Sequence, residues 1–249
     1  MWSYAMDVVT QSKTKRMIYG SIMIVLILIF LIALAIYAIK GTYSRYAQDD
    51  YCYGYRVHWY GFFEMQTSSY FGPTEFNSNR YSLTLSHTVV ELLGGPNVFP
   101  ILPLLMIISW AFSCAYVVYA MINRRIDFQA ILLILTPALG ILFFTLYLAN
   151  NLYQILYWLS AQQTYLMPMV LYTFIVARLL HLARRAVVKK RNILELTLLS
   201  TWAGGFSETT TLWFLAFLCI VFLMAIYLRN KLEGFKIIRK VFLSAIIST

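Results

Sequence analysis

Charge is what this sequence has least of. Asp, Glu, Lys and Arg make up 12% of its 249 residues, where a soluble domain carries about a quarter. With 61% hydrophobic residues and a mean hydropathy of +0.70, the chain reads as an integral membrane protein. Histidine and cysteine number three each. Neither His58 nor His87 belongs to a metal-ligand spacing, and with Cys114 and Cys219 inside apolar runs the cysteines imply no disulfide framework. Internal repeats, low-complexity linkers and a soluble domain are also missing. The net charge of +10 is spread in short groups between apolar runs rather than over one face. That excludes a nucleic-acid partner and instead writes membrane topology.

What is present is a series of runs near the about 20 apolar residues that a span needs. They are 17–39, 98–122, 130–149, 165–182, 193–206 and 212–228, with an incomplete seventh from 237. The expected architecture is therefore all-α, a single transmembrane bundle over 1–249 with an outer loop at 40–97. The first run is too long for a cleavable signal and reads as a retained anchor. The last is interrupted at Thr249, as in the front of a longer protein. A cytoplasmic N-terminus puts nearly all of the 20 Lys and Arg inside, leaving Lys40, Arg45, Arg56 and Arg80 outside.

The outer loop is too long for a turn and too aromatic for disorder. Tyr51, Tyr53, Tyr55, Trp59, Tyr60, Phe62 and Phe63 crowd one segment at headgroup level. Leu85, Val89, Leu92 and Leu93 recur at helical spacing, with His87 and Glu91 on another face, and Gly94-Gly95-Pro96 ends that helix. Two helices along the membrane surface are expected, and a further short one at 150–163. The fifth run has fourteen residues and reaches about 21 Å at 1.5 Å per residue, against a core of about 30 Å. Its turn Gly204-Gly205-Phe206-Ser207-Glu208 then lies at membrane depth, where polar backbone is tolerated only along a cavity or within protein.

Asp49 and Asp50 open the outer loop's polar segment. A carboxylate there has two readings: a base that takes the proton of an attacking hydroxyl, or a cap on the following helix. Glu208 has two as well: orienting an acceptor or holding a divalent ion with the acidic pair, or capping its own helix. Arg80 reads as a phosphate fork or as a headgroup contact.

The order of these features resembles the front module of polytopic GT-C glycosyltransferases. The resemblance rests on Asp49-Asp50-Tyr51, Asn79-Arg80-Tyr81, Trp158-Leu159-Ser160 with Tyr165 and Pro168, and the Gly204 to Glu208 turn. It implies a polyprenyl-phosphate sugar donor, one of Asp49 and Asp50 as catalytic base, and Arg80, Asn79, Glu208, Trp158 and Tyr165 near substrate. Membrane lipids and other membrane subunits are the implied partners; no cofactor is certain, and that divalent ion is the one candidate. The main rival is a non-catalytic assembly subunit of a larger membrane complex. A transporter would show paired, repeated halves, and the sequence has none.

Overall fold

A backbone in lipid must satisfy its own polar groups, so long apolar runs fold as helices. The structure, a computed structural model, describes residues 13–71, 80–122, 125–184, 188–227 and 235–248. Asn79, which the resemblance places near substrate, lies outside the described residues. No strand occurs among the described residues.

The helices are α1 (Lys13–Lys40), α2 (Asp49–Phe71), α3 (Tyr81–Leu93), α4 (Leu102–Ile122), α5 (Phe128–Tyr147), α6 (Leu159–Ala161), α7 (Met167–Ala183), α8 (Lys190–Gly204), α9 (Glu208–Tyr227) and α10 (Phe235–Ser248). Five helical stretches are long and apolar enough to cross a membrane: Arg16–Tyr43, Gly95–Ile122, Phe128–Tyr147, Leu159–Ala183 and Glu208–Tyr227. This is the build of an integral membrane protein. α8 and α10 have 15 and 14 residues, fewer than the about 20 of a full span.

The fourth span starts earlier than its apolar run. A π-helical turn, Gln162–Leu166, joins α6 to α7, so the helix is continuous from Leu159. The polar residues Ser160, Gln162, Gln163 and Thr164 are buried in that first stretch, so hydropathy alone misses it.

The buried residues form two main clusters that share α7. One joins α1, α4 and α5 through Leu34, Trp110, Leu139 and Leu142 to Val170. The other joins α8, α9 and α10 through Leu196, Leu218 and Val241 to Ile175 and Leu179 on α7. Between the two halves an apolar cleft of about 670 Å³ runs past Trp110, Thr145, Tyr172 and Phe214. Arg178 on α7 ties the halves electrostatically. Its Nε and Nη2 donate to Glu195 Oε1 and Oε2 at 2.8 and 2.5 Å, and its Nη1 donates to Tyr116 on α4 at 3.3 Å.

α2 and α3 cap the bundle at the end where α1 finishes. α2 breaks at Gly61, where φ is 71° and ψ is −178°, a conformation open mainly to glycine. α3 reverses the usual amphipathic arrangement. Its buried face is Ser82, Leu83, Thr84, His87, Thr88, Val90 and Glu91, while Val89, Leu92 and Leu93 are exposed. The apolar stripe points away from the protein, as suits a helix at a lipid surface.

Candidate functional site

The acidic pair divides. Gln48, just before it, is the one described non-glycine residue with positive φ, at 46°. From that bend Asp50 turns into the protein and is 0% exposed, whereas Asp49 stays exposed. Asp50 Oδ1 accepts from the Ser160 amide at 2.8 Å and its hydroxyl at 2.5 Å, and Oδ2 accepts from the Ala47 amide at 3.0 Å. Asp50 is thus a capping carboxylate, but for a helix 110 residues downstream. It meets the free amides at the start of α6, where a helix favours negative charge. Burial pushes its carboxyl above the ordinary aspartate value, and the hydrogen bonds from Ser160, Ala47 and Leu159 act against that rise.

Arg80 and Glu208 meet across 128 residues, with Arg80 Nε donating to Glu208 Oε2 at 2.9 Å. Both remain partly open to solvent, with side chains 40% and 55% exposed. The backbone around them explains the pairing. The amides of Ser82 and Leu83, unpaired at the start of α3, donate to Gly205 O at 3.0 and 3.3 Å. Ser82 Oγ donates to Trp202 O at 2.6 Å, and the Tyr81 hydroxyl donates to Thr201 O. Gly205 allows this approach, because a Cβ there would lie 2.4 Å from Ser82 Oγ. The turn that the sequence expects at membrane depth therefore has its Gly205 carbonyl paired with the start of α3.

Tyr53 links the two parts. Burial raises its phenol pKa, Arg80 and Arg56 oppose the rise, and Asp49 and Asp50 add to it, so its hydroxyl feels both the acidic pair and Arg80. Its ring stacks on His87, with centroids 4.1 Å apart and planes 8° from parallel. His87 is fully buried, and burial alone lowers its pKa to about 3; the imidazole is neutral at physiological pH. Neither of its nitrogens has a partner among the described residues.

Sequence reasoning missed the Tyr46–Glu91 contact. The Tyr46 hydroxyl donates to the buried Glu91 Oε1 at 2.5 Å, and His58 Nε2 lies 3.9 Å from Oε2. Burial, the hydrogen bond to Glu91 and the nearby Asp50 charge push the Tyr46 phenol far above its usual pKa. The spacing of His87 and Glu91 was the available signal, since it marked a polar helix face without showing that the face is buried.

Trp158 is half-buried with extended backbone, at φ −107° and ψ 114°, and its indole nitrogen is buried without a partner among the described residues. Tyr165 is 50% exposed. No group of three or more His, Cys, Asp and Glu side chains converges as a metal site among the described residues. Asp50 and Glu208 already have partners, so the expected divalent ion has no assembled ligand set among the described residues. No family model, curated protein or solved structure matches the chain.

Proposed function

We propose that this chain is a membrane glycosyltransferase of GT-C type, or the front module of one. It transfers a sugar from a polyprenyl-phosphate donor to an acceptor hydroxyl on the outer face of a bacterial cytoplasmic membrane. One observation carries the reading: of two adjacent carboxylates at the end of the first span, one is fixed by three hydrogen bonds and the other is exposed. The fixed Asp50 positions the segment, and the free Asp49 is the base. The apolar cleft of about 670 Å³ suits an isoprenoid tail, since ligand sites are concave and mostly apolar.

In the reaction Asp49 accepts the proton of the acceptor hydroxyl as its oxygen bonds to the anomeric carbon. The bond from that carbon to the phosphate oxygen breaks, and polyprenyl phosphate leaves with the electron pair. Arg80 stands near the leaving phosphate. Its bond to Glu208 uses Nε, and the terminal guanidinium nitrogens are further donors.

Substituting Asp49→Asn and Asp50→Asn separately, with the protein in lipid nanodiscs, tests this. Transfer from total lipid-linked sugars should fall about 100-fold or more for Asp49→Asn, the lower end for loss of a general base, with unchanged unfolding. Undiminished transfer by Asp49→Asn refutes the assignment. The second reading, a non-catalytic assembly subunit, is favoured by the pairing of Arg80 with Glu208. It takes over if the parent shows no transfer and complex assembly survives both substitutions.

A further inference from the structure

Buried polar atoms normally find partners, and each exception calls for a cause such as an unseen water or ligand. Eight buried side-chain atoms lack one among the described residues, and five of them are His87 Nδ1 and Nε2, Trp158 Nε1, Gln162 Oε1 and Gln163 Oε1. These five belong to only two segments, α3 and the start of the fourth span. The segments touch. Val90, one turn beyond His87, packs with Leu159, which lies between Trp158 and the Ser160 that holds Asp50. His87 and Gln162 are 0% exposed and Gln163 is 3% exposed. Gln162 spends its Nε2 on Leu156 O at 2.8 Å, which leaves its carbonyl oxygen unpaired.

We infer that α3 and the Trp158–Gln163 segment form a binding site for a neutral, hydroxyl-rich ring, that is, a saccharide. The available groups match that chemistry. Trp158 supplies an N–H donor, the two glutamines supply carbonyl acceptors, and a neutral imidazole supplies one donor and one acceptor. A sugar hydroxyl both donates and accepts, so it satisfies both kinds. The five atoms mix neutral donors with neutral acceptors, and the carbonyl acceptors of Gln162 and Gln163 repel an anion, which favours a neutral hydroxyl-rich ligand over a phosphate or carboxylate. The Tyr53 ring stacked on His87 connects the site to the acidic pair. Binding of a saccharide stands on these atoms alone; its role as the sugar pocket for transfer rests on the function proposed above.

The test uses the full chain in nanodiscs and two probe sets. Methyl glycosides of glucose, galactose, mannose and N-acetylglucosamine are examined by saturation-transfer NMR. Glucose linked to isoprenyl phosphate is examined by its competition with them. His87→Phe keeps a flat ring against Tyr53 and removes both nitrogens; Gln163→Met removes the side-chain amide while keeping an unbranched chain of similar length. At least one glycoside should bind saturably to the parent and about tenfold or more weaker to both variants. Displacement by the lipid-linked sugar assigns the site to the sugar of a lipid carrier; retention assigns it to a free saccharide. Unchanged binding in both variants, or no binding by any probe, overturns the site and leaves ordered water as its occupant. Asp49-dependent transfer by a chain that binds no glycoside at His87 overturns the site while keeping the transferase reading.

Discussion

Adding one methyl group at Gly205 tests how the surface helices are held to the bundle. An alanine Cβ there would lie 2.4 Å from Ser82 Oγ and 2.4 Å from Tyr81 Cε2, so α3 must retreat by about 1 Å or more to reach normal contact at roughly 3.5 Å. That retreat strains the bonds from the Ser82 and Leu83 amides to Gly205 O, at 3.0 and 3.3 Å, and from Ser82 Oγ to Trp202 O, at 2.6 Å. Overpacking costs about 1–3 kcal/mol, and each lost hydrogen bond about 1 kcal/mol. The expected destabilisation is about 3–5 kcal/mol, within which the hydrogen bonds are partly retained. Unfolding in mixed micelles, followed by circular dichroism during titration with a denaturing detergent, measures it. Since the added methyl and Ser82 Oγ collide directly, Ser82→Ala in the Gly205→Ala background should cost less than the sum of the two single changes. A Gly205→Ala protein within about 0.5 kcal/mol of the parent, the scatter of an ordinary surface substitution, refutes the docking geometry.

Asp50→Asn should destabilise by about 1–3 kcal/mol, because its amide group turns donors toward one of the amides that the carboxylate satisfied; Asp49→Asn should stay near zero, and the same detergent titration compares them. Protonation of the two buried titrating groups acts in opposite senses. His87, with its pKa lowered to about 3, contributes stability that is full above the unfolded value of about 6.5 and is lost as pH falls toward 3. Asp50, with its pKa raised, contributes stability that is full below the ordinary aspartate value and is lost as pH rises through its folded value. Unfolding at pH 4.5 and 7.5 should therefore show less acid loss in His87→Phe than in the parent. For the Arg178–Glu195 pair, whose Glu195 side chain is 37% exposed, Arg178→Gln should cost about 1 kcal/mol, since solvent screens the glutamate it leaves behind; a double-mutant cycle measures the coupling. Tyr46→Phe should cost about 1–3 kcal/mol by depriving the buried Glu91 of its donor, and an unchanged unfolding midpoint argues against that contact.

The sequence by itself determined that this is a helical membrane protein and where its main spans run, because a bilayer permits little else for apolar runs of this length. It also marked Asp49, Asp50, Arg80 and Glu208 as the charges in need of an explanation, since charge near lipid is costly. It left open which aspartate is free, because neighbours in a chain share one composition and one apparent environment. Only the fold decided that, by bringing Ser160 to Asp50 while leaving Asp49 exposed. The same holds for α3: periodicity separated its two faces, but in lipid an apolar face can turn outward as well as inward. Packing against α2, through Tyr53 on His87 and Gln66 on Thr88, together with the Gly205 turn at its start, buried the polar face, and the turn brought Arg80 to Glu208, a contact between residues too distant in sequence for any local pattern to reveal.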